Sequence, residues 1–177
     1  RSILFNGIET KKVQRDELHF FFQLNSRYDC LGIFVRCKIM NKVCPVILRK
    51  NNNILEILLF KHPTAGIQLV KGTIEKSEPV FQAAIRELYE ESGIVVEEQR
   101  CYDWGSHQIS NQTWHFVFCD TANQGLEDQW CYDTLDDYGH CFEFFWENVN
   151  TYHVLDLHSK YVQALDLIRQ KMKLYLL

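Results

Sequence analysis

The segment from Ser77-Glu78-Pro79 to Gly93 carries both ends of a helix in its own residues. Proline is tolerated in a first helical turn, where its missing N–H has no partner to lose. Glycine reaches the left-handed conformation that stops a helix without strain. The spacing therefore predicts a helix from about Pro79 to Ser92. At about 100° per residue, Phe81, Ala84, Ile85 and Leu88 fall on one side and face a sheet. Glu87, Glu90 and Glu91 gather on an adjacent arc of roughly 100°. Three carboxylates that crowded repel one another, lower helix stability and raise each other's pKa. A divalent cation offsets this, and oxygen-only ligands suit magnesium or manganese rather than zinc.

A Glu-rich helix is ordinarily a solvated face. Here the acids keep company: Gly72, five residues, Glu78, seven residues, then Arg86-Glu87-Leu88-Tyr89-Glu90-Glu91-Ser92-Gly93-Ile94. Two glycines, an arginine and four acids at set intervals in a strand–loop–helix context argue for a site rather than a surface. The window resembles, without a departure, the signature of the Nudix hydrolases. The resemblance implies an α+β fold, a Nudix-like α/β/α sandwich with a mixed β-sheet between helices. It also implies Mg2+-dependent hydrolysis, with Mn2+ as an alternative, of a phosphoanhydride in a nucleoside diphosphate linked to another moiety. Glu90 and Glu91 are implied metal ligands. Glu87 is implied as a further ligand or as the group that orients the attacking water. Gly72 is implied to lend its backbone carbonyl to the metal. Arg86, counted with the catalytic group, is implied to pair with Glu78 and hold the loop on the helix; Glu78 and Gly93 support the site. Many members of the family carry a second glycine before the first; this chain has Lys71. The Lys71-Gly72 pair is similar to that of several polyphosphate-cleaving members and makes Lys71 a candidate phosphate contact.

The chain has 177 residues, enough for one domain with a core of its own. The whole of 1–177 is read as a single domain: residues 1–30 as an N-terminal extension or first element, 72–94 as the motif, 157–174 as a C-terminal helix. Its net charge of −4 offers no basic face for general nucleic-acid binding. Seven cysteines, Cys30, Cys37, Cys44, Cys101, Cys119, Cys131 and Cys141, form no C-x-x-C pair, which predicts free, mostly buried thiols in a reducing cytoplasm. No apolar run reaches the ~18 residues of a membrane span. Short apolar segments at 31–37, 43–49, Ile54 to Phe60, Ile67 to Val70, Trp114 to Cys119 and Cys141 to Trp146 suit strands, with Asn51-Asn52-Asn53 as a turn. Residues 9–24 fit an amphipathic helix or, at Phe20-Phe21-Phe22, a strand. Residues 120–140 are polar and read as a long loop.

Substrate choice is weakly written. Trp104, Trp114, Trp130 and Tyr132 are candidates to stack on a base, with packing as their ordinary role. Glu127, Asp128, Asp133 and Glu143, in or beside the 120–140 stretch, are candidates for a general base outside the motif. His107 and His115 are candidates to assist. The expected enzyme is a Nudix pyrophosphohydrolase of a small nucleotide such as a dinucleoside polyphosphate, nucleotide sugar or nucleoside triphosphate, acting as a monomer or homodimer. The alternatives are a catalytically silent nucleotide-sensing module and an RNA 5′-end pyrophosphohydrolase. The intact acids argue against the first, and the lack of a basic channel against the second.

Overall fold

In the computed structural model, residues 28–30, 33–35, 40–134 and 139–175 are described. The chain divides into two compact units, residues 1–39 and 40–177. In the first, β1 (Tyr28–Cys30) and β2 (Ile33–Val35) pair antiparallel. The expectations for residues 9–24 lie outside the described residues.

The second unit runs β3 (Met40–Val46), β4 (Leu48–Asn51), β5 (Ile54–His62), β6 (Gly66–Gln68), β7 (Gly72–Thr73), α1 (Val80–Ser92), β8 (Cys101–Ile109), β9 (Gln112–Cys119), β10 (Gln129–Asp133), β11 (Cys141–Asn148) and α2 (Ser159–Tyr175). These build two sheets rather than one. The mixed sheet has the order β7-β3-β9-β8, with β3 and β9 parallel and the other pairs antiparallel. The antiparallel sheet has the order β10-β11-β5-β4, and β6 adds to the far end of β5. The chain passes from one sheet to the other at Ile47, which is buried between β3 and β4. Pro45 sits inside β3 without breaking a ladder, because β7 pairs only as far as Lys42 and Val43. The turn at Asn52 and Asn53 has positive φ at both residues, 46° and 64°, the conformation a tight hairpin needs and asparagine tolerates.

Alternation along β9 sends its side chains to two cores. Trp114 and Phe116 pack with Tyr161, Ala164, Leu165, Ile168 and Met172, the apolar stripe of α2. Val117 and Cys119 pack with Val43 and with Ala83, Ala84 and Leu88 of α1. The helices therefore cover opposite faces of the mixed sheet, and the expected α+β class holds. Among the described residues, no helix is long and apolar enough to cross a membrane.

Pro79 stands just before α1 in an extended conformation, and Gly93 ends it at φ 74° with its N–H bonded to the carbonyl of Tyr89 at 2.9 Å. A Cβ at Gly93 would lie 2.6 Å from the Tyr132 ring. Gly93→Ala thus adds a left-handed alanine and displaces a packed ring. It is expected to cost about 1–2 kcal/mol, read as a lowered urea midpoint with an unchanged slope.

Two expectations need correction, and one strand goes unread in the sequence. Residues 120–140 are not all loop: β10 pairs with β11 along Gln129 to Asp133, an edge strand whose mostly exposed polar residues hide its alternation. The span 101–109 forms β8, which sequence alternation misses because a bulge between Asp103 and Ser106, with Gly105 at φ 88°, breaks the period. Cys131 and Cys141, on neighbouring strands with Cα atoms 5.9 Å apart, are joined as a disulfide rather than free. Cys44, Cys101 and Cys119 are buried free thiols, and the side chains of Cys30 and Cys37 lie outside the described residues.

Candidate active site at the start of the central helix

The loop entering α1 is held by Arg86. Its Nε and Nη2 donate to the two carboxylate oxygens of Glu78 at 2.8 and 2.9 Å, and Nη2 also donates to the carbonyl of Thr73 at 3.1 Å. The bidentate fit is one a lysine cannot make. Glu78 in turn accepts the backbone N–H of Glu75 at 2.9 Å, closing the loop over a single turn. The guanidinium beside it holds the Glu78 carboxyl below the usual carboxylate range, and Glu78 holds Arg86 firmly protonated. Arg86 then reaches forward along the helix: its Nη1 donates to Glu87 and to Glu90, each at 2.9 Å.

Glu87 is only 7% exposed. Its carboxyl group lies directly on Gly72, where a built Cβ would fall 1.5 Å from the Glu87 Cδ. Only glycine at position 72 admits that approach, which gives the motif's first glycine a steric reason. Burial raises the Glu87 pKa, and the Arg86 guanidinium opposes the rise. Glu91, one turn on, accepts the Lys71 backbone N–H at 3.3 Å. Glu87 and Glu91 thus flank the Lys71-Gly72 backbone, while Glu90 is half-exposed on the side of Arg86. Burial also raises the Tyr161 phenol, and the Glu91 charge adds to that rise, which places Glu91 toward α2.

These donors are all hard oxygens, arranged around a backbone corner with one buried carboxylate disfavoured in its charged form. That chemistry fits a small divalent cation. Among the described residues, no three His, Cys, Asp or Glu side chains already stand as a closed cation cage. Arg86 draws Glu87 and Glu90 toward itself instead. Magnesium commonly keeps several waters and takes few protein ligands, so a partial set of this kind suits it.

Other candidates lie elsewhere. Asp128 pairs with Arg49 at 2.7 Å, and Glu143 stands 3.9 Å from Lys61. The Glu127 backbone carbonyl accepts the Trp146 indole N–H. Asp133 is exposed on the edge strand. Trp104 and Trp114 are buried in the core, while Trp130 stacks on Phe144 and donates to the Ser92 carbonyl at 3.3 Å. Tyr132 packs at Gly93. His107 lies tilted against Phe116, and His115 pairs in register with Val43 and Ser106. Sequence reasoning missed Lys42, whose charge interacts with those of Lys71, Glu87 and Glu91, and Lys160, whose charge interacts with those of Lys71 and Lys42. No local pattern marks them, because the antiparallel β3–β7 pairing sets Lys42 opposite Thr73 and the entry of α2 brings Lys160.

The profile of the NUDIX domain matches residues 40–163. No curated protein matches the chain. Among solved structures, C. elegans Ap4A hydrolase superposes at a TM-score of 0.53 with 19% identity, over 78% of this chain and 99% of that one. The NUDIX domain of Shewanella oneidensis NrtR, complexed with ADP ribose, gives 0.57 with 15% identity over 85% and 97%. A mutT/nudix family protein from Listeria innocua gives 0.54 with 16% identity over 77% and 96%. At these identities the structures speak to the fold alone.

Proposed function

The chain belongs to the Nudix family of pyrophosphohydrolases, and we propose that it cleaves a phosphoanhydride in a small nucleoside diphosphate linked to another moiety, with Mg2+ as its cation. The observation that carries this is the meeting of Gly72, Glu87 and Glu91 at one backbone corner, with Glu90 beside them. Glu90, Glu91 and the Gly72 carbonyl would hold the cation, with Glu87 as a further donor. Such a cation, when bound, polarises phosphoryl oxygens and makes water a better nucleophile.

The chain's own groups do the rest. Burial gives Glu87 a higher proton affinity than an exposed carboxylate, which suits it to take the proton of the attacking water. Arg86 positions Glu87 and Glu90 and ties the loop to the helix through Glu78. Lys71, next to Gly72 in sequence, would contact a phosphate of the substrate.

The test is a substrate panel of ADP-ribose, nucleoside triphosphates, diadenosine tetraphosphate and triphosphorylated RNA, each with Mg2+ and with EDTA. Release of nucleoside monophosphate or phosphate from a small substrate, abolished by EDTA, is the expected result. Mn2+ at about 100 times its Kd should also stabilise the parent by roughly 2.7 kcal/mol. No turnover on any substrate with either metal would overturn the reading.

A further inference from the structure

Three lysines from three separate elements converge beside the carboxylates. Lys42 lies on β3 in register with Trp114 of β9, so the two side chains share a face of the mixed sheet. The Lys71 ammonium lies 5.7 Å above the Trp114 ring. Trp114 meets Tyr161 edge-on at 6.0 Å, and the Lys160 ammonium lies 4.9 Å above the Tyr161 ring. The Tyr161 hydroxyl bonds the Gln68 side chain, three residues before Lys71. These contacts link Lys42, Lys71 and Lys160 around two buried aromatic rings.

All three lysines are half-buried. Among the described residues, none of them closes an ion pair. Lys42 spends one donor on the Thr73 hydroxyl, a neutral partner. Burial, followed by the charge of Lys71, holds both Lys42 and Lys160 below the usual lysine range. Glu87 and Glu91 offset the Lys42 charge only in part, since Lys71 and Lys160 press on it from the other side, and an anion shared among the three ammonium groups relieves that repulsion. One phosphate next to Gly72 needs Lys71 alone. Lys42 and Lys160 add two ammonium groups next to Lys71, a set of charges that a longer phosphate chain can share.

We propose that Lys42 and Lys160 complete, with Lys71, a polyphosphate subsite that makes nucleotides with three or more consecutive phosphates the preferred substrates over those with two. The inference rests on the hydrolase reading above for its meaning in turnover, but its binding can be tested without turnover. The probes are inorganic tripolyphosphate and pyrophosphate, titrated calorimetrically in EDTA. The carboxylates repel both anions, so the ratio of affinities isolates the lysines. The parent should bind tripolyphosphate at least ~10-fold tighter than pyrophosphate, with a steep salt dependence. Lys42→Gln and Lys160→Gln should each bring that ratio close to that of simple charge screening. Lys42→Arg, which keeps the charge, should retain the preference and shows that loss in the glutamine variant is not loss of fold.

With Mg2+, the same two glutamine variants should lose at least ~10-fold more kcat/KM on diadenosine tetraphosphate than on ADP-ribose. Equal affinity of the parent for both anions, or an undiminished preference in the glutamine variants, overturns the subsite. Absence of all hydrolysis together with a lysine-dependent tripolyphosphate preference overturns the hydrolase reading and keeps the subsite.

Discussion

Glu90→Gln and Glu91→Gln should each lower phosphoanhydride hydrolysis by at least ~100-fold while leaving the unfolding temperature within about 2 °C of the parent. The first number is a lower bound. Residues that only orient metal ligands cost 10–100-fold when lost, and a proposed ligand should cost no less. The second follows from the geometry. Neither side chain belongs to a core cluster, and an amide keeps the shape and an oxygen acceptor. At position 91 that acceptor still receives the Lys71 N–H. At position 90 it still faces Arg86. Removing one negative charge from the pair one turn apart, Glu87 and Glu91, even relieves a repulsion worth a few tenths of a kcal/mol. Initial rates with Mg2+ and thermal unfolding on the same preparations decide the matter. Parental turnover in either variant refutes the assignment, because the neutral amide would then serve as well as the carboxylate. Mn2+ should stabilise both variants less than it stabilises the parent, a readout that does not depend on knowing the substrate.

Local signals were legible wherever one short stretch of chain decides the conformation. The helix from Val80 to Ser92 follows from Pro79, Gly93 and an apolar stripe, all within one segment. The Asn52–Asn53 turn and the stripe of α2 are local in the same sense. What was not legible depends on partners far along the chain. β10 is short and largely exposed, and takes its structure from β11. β8 hides behind a bulge that makes sense only against β9. The change of sheet at Ile47 leaves no mark in an unbroken apolar run. The same division runs through the candidate site. Glu87, Glu90 and Glu91 share an arc because one helix carries them. Lys42 and Lys160 come together only when β3 lies parallel to β9 and α2 returns across that face. The Cys131–Cys141 pairing likewise depends on β10 and β11 being neighbours, and counting cysteines cannot reveal it.

Arg86→Ala should lower stability by about 3 kcal/mol, a fall in unfolding temperature of the order of 10 °C. One guanidinium here serves three carboxylates and a backbone carbonyl. Its removal leaves Glu78 and Glu87, with side chains only 14% and 9% exposed, without the guanidinium that offsets their charge. Leaving a shielded charge uncompensated costs more than the pair itself contributes. The loss therefore exceeds what a surface ion pair returns, which is at most about 1 kcal/mol.

Arg86→Lys should recover only part of it. An ammonium reaches one carboxylate as a point charge but cannot span both oxygens of Glu78 and still touch Glu87 and Glu90. Glu78→Gln should cost less than Arg86→Ala, since it leaves Arg86 partly solvated and still paired along the helix. Combining Glu78→Gln with Arg86→Ala should cost clearly less than the sum of the two, because the charges removed belong to one network. Denaturant unfolding of the three single variants and the double variant measures this directly. Strict additivity, or an Arg86→Ala protein as stable as the parent, would mean that the loop is held to the helix by something other than this ion network.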